Sequence, residues 1–336
     1  MAKTGILLLN IGSPVSYEVA DVKKYLLRFL MDKDIITAPY LVRWPLVHIG
    51  IVPRRAPQSA HNYKTVWMAE GSPLMVYTRR FAEKLQNELG SEYHVALGMR
   101  YSEPSIDSAL LDFKAKGVSE IIAAPLYPQY AEATTGSSLK ELQRVARKLK
   151  IDIPVKSIPP FYDSDMFIDP AVQIANETLA AKEVDHYLFS FHGLPKKQIQ
   201  KVHDCYATED CCFEVKATAK KCYRAHCYAT ATKMAERMGL KDGHWSVSFQ
   251  SRLGPVEWIK PYTDHSLEAL AKSGKKRVAI LCPSFVADCI ETLEEIGIGE
   301  KERFLSFGGT EYTMVPCVND NALWVQRFAE SLKKSF

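Results

Sequence analysis

The sequence lacks the signatures of several common protein classes. No stretch approaches the roughly 20 apolar residues of a transmembrane helix, and the apolar run at residues 6–9 is too short for a signal peptide. Glycine-rich dinucleotide and phosphate-binding motifs are absent. A net charge of +4 on 336 residues, without a dense basic block, argues against a nucleic-acid partner. We therefore expect a cytoplasmic globular protein.

Short apolar runs alternate with amphipathic stretches along the whole chain. This alternation predicts an α/β fold with parallel sheets that carry helices on both faces. The predicted strands are residues 5–11, 93–99, 120–126, 155–158, 186–191, 245–249, 277–282 and 312–316. The clearest predicted helices are residues 22–31, 79–89, 105–116, 139–149 and 257–272.

The chain is too long for one ordinary core and suggests two domains. The proline-rich stretch at residues 151–165 is the best place to divide it, with about four predicted strands on each side. We expect domains at residues 1–155 and 156–336, with the last helix free to pack back on the first domain. Polar and aromatic clusters follow several strand ends, as a cleft between two half-domains requires.

A histidine at a predicted strand end is the first candidate for chemistry. His192 is followed by Gly193 and Pro195, so it stands on exposed and fixed backbone. Neutral imidazole can accept a proton or bind a divalent metal. The alternative, of about equal weight from this motif alone, is a histidine that only hydrogen-bonds a loop carbonyl.

An acidic row follows the strand at residues 277–282. On an α-helix, Asp288, Glu291 and Glu295 are three and four residues apart and share one face. A solvated acidic surface is the commoner explanation for such a row. Its position after an apolar strand favours a path for cations or protons.

A further set of side chains suits the carboxylates and apolar body of a large flat anion. Core packing is the strong alternative for its tyrosines and methionine. The cations and hydroxyls are Arg54, Arg55, Ser72, Tyr77, Arg100, Tyr101, Tyr127, Tyr130, Ser137 and Ser138, and the apolar wall is Met31, Ile35, Tyr40, Trp44 and Trp258. We predict that residues 40–53 form an interfacial or substrate-covering loop.

Five of the eight cysteines fall within residues 205–227. In a cytosolic chain such a group indicates metal before disulfides. Four thiolates in one short segment suit a [2Fe–2S] cluster or a structural zinc, and the lack of Cys-x-x-Cys pairs favours the cluster. The predicted ligands are Cys205, Cys212, Cys222 and Cys227, with Cys211 as the alternative to Cys212.

Together these motifs resemble the ferrochelatase family over nearly the whole chain. The matching runs lie at residues 8–14, 71–74, 126–130, 134–138, 189–195, 249–255, 258–264 and 288–295. The resemblance implies two similar doubly wound, Rossmann-like domains with parallel four-stranded sheets and a porphyrin in the cleft between them. It also implies a lyase that inserts Fe²⁺ into protoporphyrin IX to form protoheme with release of two protons, the last step of heme biosynthesis.

The resemblance assigns roles to the candidate residues. His192 and Glu291 become the catalytic pair that faces the substrate Fe²⁺, and Asp288 and Glu295 become an acidic relay. The implied porphyrin-binding residues are Met31, Arg54, Arg55, Ser72, Arg100, Tyr101, Tyr127 and Trp258. The alternatives are a coproporphyrin ferrochelatase, a cobalt or nickel tetrapyrrole chelatase, and a non-catalytic porphyrin carrier with an iron–sulfur sensor.

One departure from the family concerns the cluster. Some members bind a [2Fe–2S] cluster with a cysteine after the Pro-Gln-Tyr motif and three near the carboxyl end. Here residues 131–133 read Ala-Glu-Ala, and the cysteines lie instead in extra sequence at residues 200–230. The chain thus resembles members with an internal cluster segment. Peripheral membrane contact and the choice between monomer and homodimer stay open.

Overall fold

A computed structural model describes residues 3–200, 212, 221–254 and 256–335. The chain divides into two compact units. The first comprises Met1–Leu126 and Glu132–Pro159, and the second comprises Tyr127–Ala131 and Pro160–Phe336. The short segment Tyr127–Ala131 therefore belongs to the second unit, although the sequence places it in the first half.

The first unit is built on a parallel four-stranded sheet in the order β2-β1-β3-β4. Ile6–Leu9 in the central strand are fully buried, as expected for a parallel sheet covered on both faces. Leu110 and Phe113 of a flanking helix pack against this sheet. The strands are β1 (Lys3–Asn10), β2 (Tyr93–Met99), β3 (Val118–Pro125) and β4 (Val155–Ser157). The helices are α1 (Val19–Leu30), α2 (Tyr40–Pro45), α3 (Val52–Val66), α4 (Pro73–Leu89), α5 (Ile106–Ala115) and α6 (Ser137–Leu149), with π-helices π1 (Leu46–Ile51) and π2 (Glu132–Gly136).

The second unit repeats the same topology, with a parallel sheet in the order β6-β5-β7-β8. Its last helix packs on another helix of the same unit. The strands are β5 (His186–His192), β6 (Trp245–Gln250), β7 (Arg277–Leu281) and β8 (Glu311–Met314). The helices are α7 (Asp165–Leu179), α8 (Lys196–Gln200), α9 (Tyr223–Arg237), α10 (Thr263–Lys272), α11 (Lys301–Ser306) and α12 (Ala322–Ser335), with a π-helix π3 (Glu291–Glu300). The last helix, α12, packs on α7.

All eight predicted strands are confirmed, as is the prediction of two similar units with four parallel strands each. The helix predicted at residues 257–272 begins later, at Thr263. The residues before it are extended because they hydrogen-bond neighbouring strands and turns: Ile259 N–H donates to the Leu194 carbonyl, and the Pro261 carbonyl accepts from Phe249 N–H.

The prediction of a loop at residues 40–53 is wrong, because this segment is helical through α2, π1 and the start of α3. Its inward face is held by Arg43, whose guanidinium donates to the carbonyls of Ile36 and Ala38 at 3.0 Å each. Its outward face is apolar, with Leu41 85% and Ile49 65% exposed. Pro45 lies inside this helical run and has no N–H to donate to the preceding turn, and the run changes from α2 to π1 directly after it.

Across the described part of the chain, no helix combines the length and the apolar character needed to cross a bilayer.

Candidate active site

His192 is the last residue of β5, at the carboxyl edge of the second unit's sheet. Its ring nitrogen Nδ1 lies 2.6 Å from the Gly193 carbonyl oxygen. Because a carbonyl oxygen only accepts, Nδ1 carries a proton, which leaves Nε2 as the ring nitrogen that can offer a lone pair. The imidazole is therefore set up to accept a proton or a metal ion at Nε2.

The glycine after His192 is required by a close approach of two strands. Gly193 N–H donates to the Gln250 carbonyl at 2.8 Å. A Cβ on Gly193 would come within 2.7 Å of that same oxygen, closer than real Cβ contacts allow. Glycine is therefore needed after His192 because β5 and β6 approach each other closely at this position.

Glu291 is the first residue of π3, which follows β7. Its carbonyl accepts a hydrogen bond from Gln250 Nε2 at 3.1 Å. The same glutamine accepts from Ser190 Oγ at 2.7 Å, so its amide is oriented by β5. The Gln250 side chain, at the end of β6, therefore links the start of π3 to β5, the strand that ends in His192.

Glu295 lies one turn further along π3. Ser251 donates two hydrogen bonds to its carboxylate, from N–H at 2.7 Å and from Oγ at 2.5 Å. Burial raises the pKa of Glu295, and the nearby Glu291 raises it too, while Ser251 and the charge of His192 oppose the rise. The two predicted catalytic residues therefore both act electrostatically on this carboxylate, and the structure brings the three groups together in one unit.

Glu291 and Glu295 of the acidic row lie on a π-helix, not on the expected α-helix. Because a π-helix has more residues per turn than an α-helix, residues four and five apart follow one another along it. Glu300, which the sequence reading missed, continues the series after Glu295. Burial raises the pKa of Glu300 to about 7, and its neighbours include Arg303, whose Nε lies 3.5 Å from Glu300 Oε2. Glu300 would have been found from the sequence only by knowing the helix type.

Asp288 precedes π3 and is not on the expected helical face. It is buried, and its carboxylate accepts from Thr292 Oγ1 at 2.9 Å and Asn319 Nδ2 at 2.7 Å. The Cys317 N–H adds a longer contact at 3.3 Å. These bonds join the start of π3 to the segment after β8.

In the first unit, Arg100 and Tyr101 share a buried partner that sequence reading missed. Asp32 accepts from Arg100 Nη2, the Tyr101 hydroxyl and Ser137 Oγ, each at 2.7 Å. Burial raises the pKa of Asp32, but these hydrogen bonds, one from Asp34 N–H and the Arg100 charge together hold it below its usual value. Asp32 gives no sequence signal because it lies just after α1 and belongs to none of the motifs found in the sequence.

An open cavity of about 300 Å³ adjoins this network. Arg100 and Tyr101 line it together with Arg28, Ser102 and Glu141. With Ser105 and Asp107, the cavity offers two guanidinium groups, three hydroxyl groups and two carboxylates. Of these groups, only those of Arg100 and Tyr101 were predicted.

The remaining predicted porphyrin residues are placed individually. Ser72 is buried and caps α4 by accepting from Met75 N–H at 3.4 Å. Met31 is half-buried at the end of α1. Arg54 and Arg55 are exposed on α3, and Arg54 donates to the Gly50 carbonyl at 2.9 Å.

The other two predicted porphyrin residues belong to the second unit. Tyr127 is half-buried. Trp258 is buried, and its Nε1 donates to the Leu253 carbonyl at 3.0 Å. Both units therefore contribute predicted porphyrin residues, whereas His192 and Glu291 both lie in the second.

The cysteine segment is described only in part, since Cys205 and Cys211 lie outside the described residues. Cys212, Cys222 and Cys227 are buried, and Arg224 Nη1 donates to Cys212 Sγ at 2.8 Å. Burial raises the pKa of Cys227. Within the described ranges no three His, Cys, Asp or Glu side chains form a group that could hold a metal ion. The described residues therefore contain no complete ligand set for the predicted [2Fe–2S] cluster, two of whose candidate cysteines lie outside them.

The chain is similar to known proteins over its full length. The ferrochelatase family model matches residues 3–335. A ferrochelatase from Bdellovibrio bacteriovorus is 62% identical over 333 residues, which cover 99% of each chain. One from Pseudomonas fluorescens strain Pf0-1 is 47% identical and covers 98% of this chain and 97% of its own.

Solved structures share the fold. SirB from Bacillus subtilis with Fe³⁺ superposes with a TM-score of 0.57 at 12% identity, covering 99% of this chain and 95% of its own. The sirohydrochlorin chelatase SirB in complex with cobalt gives 0.55 at 9%, covering 99% and 98%. These likenesses show the fold alone. With the family match over residues 3–335 and relatives at 62% and 47% identity, the chain belongs to the ferrochelatase family.

Proposed function

We propose that this protein inserts Fe²⁺ into protoporphyrin IX, forming protoheme and releasing two protons, as the last step of heme biosynthesis. The observation that supports this most is the grouping of His192, Glu291 and Glu295 around the end of β6. There Gln250 pairs with His192 and bonds the Glu291 carbonyl, and Ser251 bonds the Glu295 carboxylate. Metal insertion breaks two pyrrole N–H bonds, so it needs a base at the ring and a route for protons away from it. An imidazole beside carboxylates supplies both.

His192 acts at the porphyrin face. Its Nε2 lone pair accepts a pyrrole proton or transfers the metal, while the bond from Nδ1 to the Gly193 carbonyl keeps the ring in one tautomer and orientation. This is the step that we assign to His192, and the two substrates, porphyrin and ferrous iron, are its partners.

Glu291 and the carboxylates near it carry the released protons away from the site. Burial and Glu291 raise the pKa of Glu295, which makes it a better proton acceptor near neutral pH. The Ser251 bonds hold that carboxylate in one orientation. We propose that protons pass from Glu291 to Glu295, with Asp288 holding the start of π3.

The porphyrin carboxylates would be bound by the cations and hydroxyls predicted from sequence. Arg54 and Arg55 are exposed and able to reach a ligand, whereas Arg100 and Tyr101 act with Asp32. Such guanidinium groups suit propionates because they bind carboxylates through two parallel hydrogen bonds. The location of the ring in a cleft between the units stays a prediction.

The experiment is anaerobic Fe²⁺ insertion by the purified chain, with His192→Ala and Glu291→Gln as test variants and Glu294→Gln as the control on the same helix. We expect His192→Ala to lower kcat by about 100-fold or more, the usual contribution of a general base. Near-normal turnover in His192→Ala would remove the catalytic assignment. Stoichiometric porphyrin binding without turnover by the unaltered chain would favour the carrier instead.

The same assay decides between substrates. Protoporphyrin and coproporphyrin are compared first, and Fe²⁺ is then compared with Co²⁺, Ni²⁺ and Zn²⁺. A higher kcat/KM for coproporphyrin, or for cobalt or nickel, would replace the proposed reaction by one of the alternatives.

The [2Fe–2S] cluster is a second proposal, and it is supported by the sequence spacing of Cys205, Cys212, Cys222 and Cys227, with Cys211 as the alternative to Cys212. Protein purified without oxygen should contain two iron and two sulfide per chain and show charge-transfer absorption. Cys227→Ser should lose both, while Cys282→Ala, a buried cysteine outside the segment, should keep them. Equal iron content in the two variants would refute the cluster.

We also propose a cytoplasmic location with peripheral membrane contact through the apolar outer face of α2 and π1. Tyr40, Leu41 and Ile49 are exposed there, and Arg54 and Arg55 follow on α3. Apolar side chains beside cations suit an anionic lipid surface. Sedimentation with phosphatidylglycerol vesicles should remove the protein from solution, and Leu41→Ser with Ile49→Ser should abolish this. No sedimentation of the unaltered chain would refute it.

A further inference from the structure

Strand β5 extends three residues past the end of its pairing with β7, and His192 is the last of these residues. On one side, β5 pairs with β7 only as far as Phe189, opposite Leu281. Three further residues carry β5 on to His192, where pairing continues with β6 alone, opposite Gln250. The β7 side of His192 therefore needs other partners for its N–H and C=O groups.

Those partners are two hydroxyl groups. His192 N–H donates to Ser284 Oγ at 3.0 Å, in the turn after β7. The Tyr223 hydroxyl, at the first position of α9, donates to the His192 carbonyl at 2.7 Å. Tyr223 and Ser284 also bond each other at 3.1 Å.

The direction of each bond in this ring is fixed by counting protons. The His192 carbonyl only accepts, so the single Tyr223 proton is committed to it. The bond between the two hydroxyls must then be donated by Ser284, whose oxygen in turn accepts from His192 N–H. Within the ring, each hydroxyl group therefore donates one hydrogen bond and accepts one.

We propose that Tyr223 and Ser284 are positioning residues for the reaction, because their hydrogen-bonded ring with His192 N–H and C=O fixes the backbone that presents the catalytic imidazole. This rests on the proposed role of His192. The hydrogen-bonded ring holds the end of β5 and the Gly193 peptide, whose carbonyl accepts the hydrogen bond from the imidazole. Without this ring, Nε2 is oriented less precisely, while the predicted porphyrin-binding residues are unchanged.

Other features of Tyr223 agree with a fixed hydroxyl donor. The side chain is buried, at 6% exposure. Cys227 on the next turn of α9 contacts the same hydroxyl, which leaves it little freedom to rotate.

The test compares Tyr223→Phe with Tyr228→Phe. Both remove one buried hydroxyl from α9, but the Tyr228 hydroxyl bonds Arg224 at 3.1 Å, not His192. We expect Tyr223→Phe to lower kcat about five- to tenfold, the equivalent of one neutral hydrogen bond. KM for porphyrin should be unchanged, and Tyr228→Phe should retain full kcat. An equal kcat in the two variants would overturn the proposal.

Ser284 provides the second measurement. Ser284→Ala breaks two bonds of the ring, whereas Ser284→Thr keeps the hydroxyl and should restore kcat. Because the ring acts as a unit, Tyr223→Phe should add little to Ser284→Ala in the double variant. Additive losses, or no rescue by threonine, would overturn the ring even if Tyr223→Phe folded poorly. A fully active His192→Ala would instead show that the proposed function had failed.

Discussion

Ser251 donates both its N–H and its hydroxyl to the carboxylate of Glu295, and it does so from a left-handed backbone conformation with φ of +65°. A non-glycine residue in this conformation is strained. The strained residue thus faces the carboxylate next to the predicted catalytic pair. Its hydroxyl counteracts the effect of burial on the pKa of Glu295.

Ser251→Gly should raise the pKa of Glu295, because it deletes the hydroxyl bond that stabilises the ionised form. If Glu295 must be ionised to accept protons, the acid limb of the pH profile of kcat moves to higher pH. The measurement is kcat for iron insertion between pH 5 and 9.

Ser251→Ala is the matched variant. It should show the same shift of the acid limb, but its Cβ keeps the strain that glycine relieves, so it should be less stable than Ser251→Gly by about 1 kcal/mol. A pH profile unchanged in both variants would remove Glu295 from the proton path.

Glu300 should make stability fall as pH rises. Its pKa is about 7 in the folded state against an ordinary 4.5, so the folded chain binds more protons than the unfolded chain between these values. The free energy of unfolding contributed by Glu300 is therefore full below pH 4.5 and is lost as pH rises through 7. Glu300→Gln should raise Tm at pH 8 and change it little at pH 4.5. The exposed Glu302→Gln is the control, and equal effects of Glu300→Gln at both pH values would contradict the prediction.

The strands were predictable because buried parallel strands are continuous apolar runs between turns. The run at Ile6–Leu9 and the one within β7 need no tertiary information. His192 could be selected because it follows a predicted strand, and Glu291 because it belongs to the acidic row after the strand predicted at residues 277–282. Their pairing at the metal was implied by the resemblance to the ferrochelatase family.

What the sequence could not give depends on contacts between distant segments. A spacing of three and four is compatible with an α-helix, so the π-helical series that ends at Glu300 was hidden. Asp32 is one carboxylate among many until Arg100, Tyr101 and Ser137 converge on it. Tyr223 bonds a residue 31 positions away through its hydroxyl, and no periodicity encodes that.

Asn319 should stabilise the start of π3 through Asp288. Its side chain donates to the Asp288 carboxylate at 2.7 Å and accepts from Asp288 N–H at 2.8 Å, from a backbone with φ of +49°. Asn319→Gly tolerates that backbone but loses both bonds, one of them to a charged group, and should lower the free energy of unfolding by about 2 kcal/mol.

Asn319→Ala should be worse than Asn319→Gly by about 1 kcal/mol, because alanine also resists the left-handed conformation. Urea denaturation measures both. Equal stability of the two variants would show that the backbone of Asn319 relaxes when its side-chain bonds are lost.

Asp32 should be required for the integrity of the first unit. Its side chain is 5% exposed and that of Arg100 is 19% exposed, so removing the carboxylate leaves a largely buried guanidinium without its main counter-charge. Asp32→Ala should cost about 3–5 kcal/mol in the free energy of unfolding, as for other broken buried pairs. Ser137→Ala removes one neutral donor to the same carboxylate and should cost only about 1 kcal/mol.

The two variants also separate stability from ligand binding. If Arg100 binds a porphyrin propionate, Asp32→Ala frees it to move and should raise KM for porphyrin, whereas Ser137→Ala should change KM less. Urea denaturation gives the stabilities, and initial rates at varied porphyrin give KM. A stability loss in Asp32→Ala no larger than in Ser137→Ala would mean that Arg100 finds Glu141, 4.0 Å away in the intact protein, as a sufficient replacement.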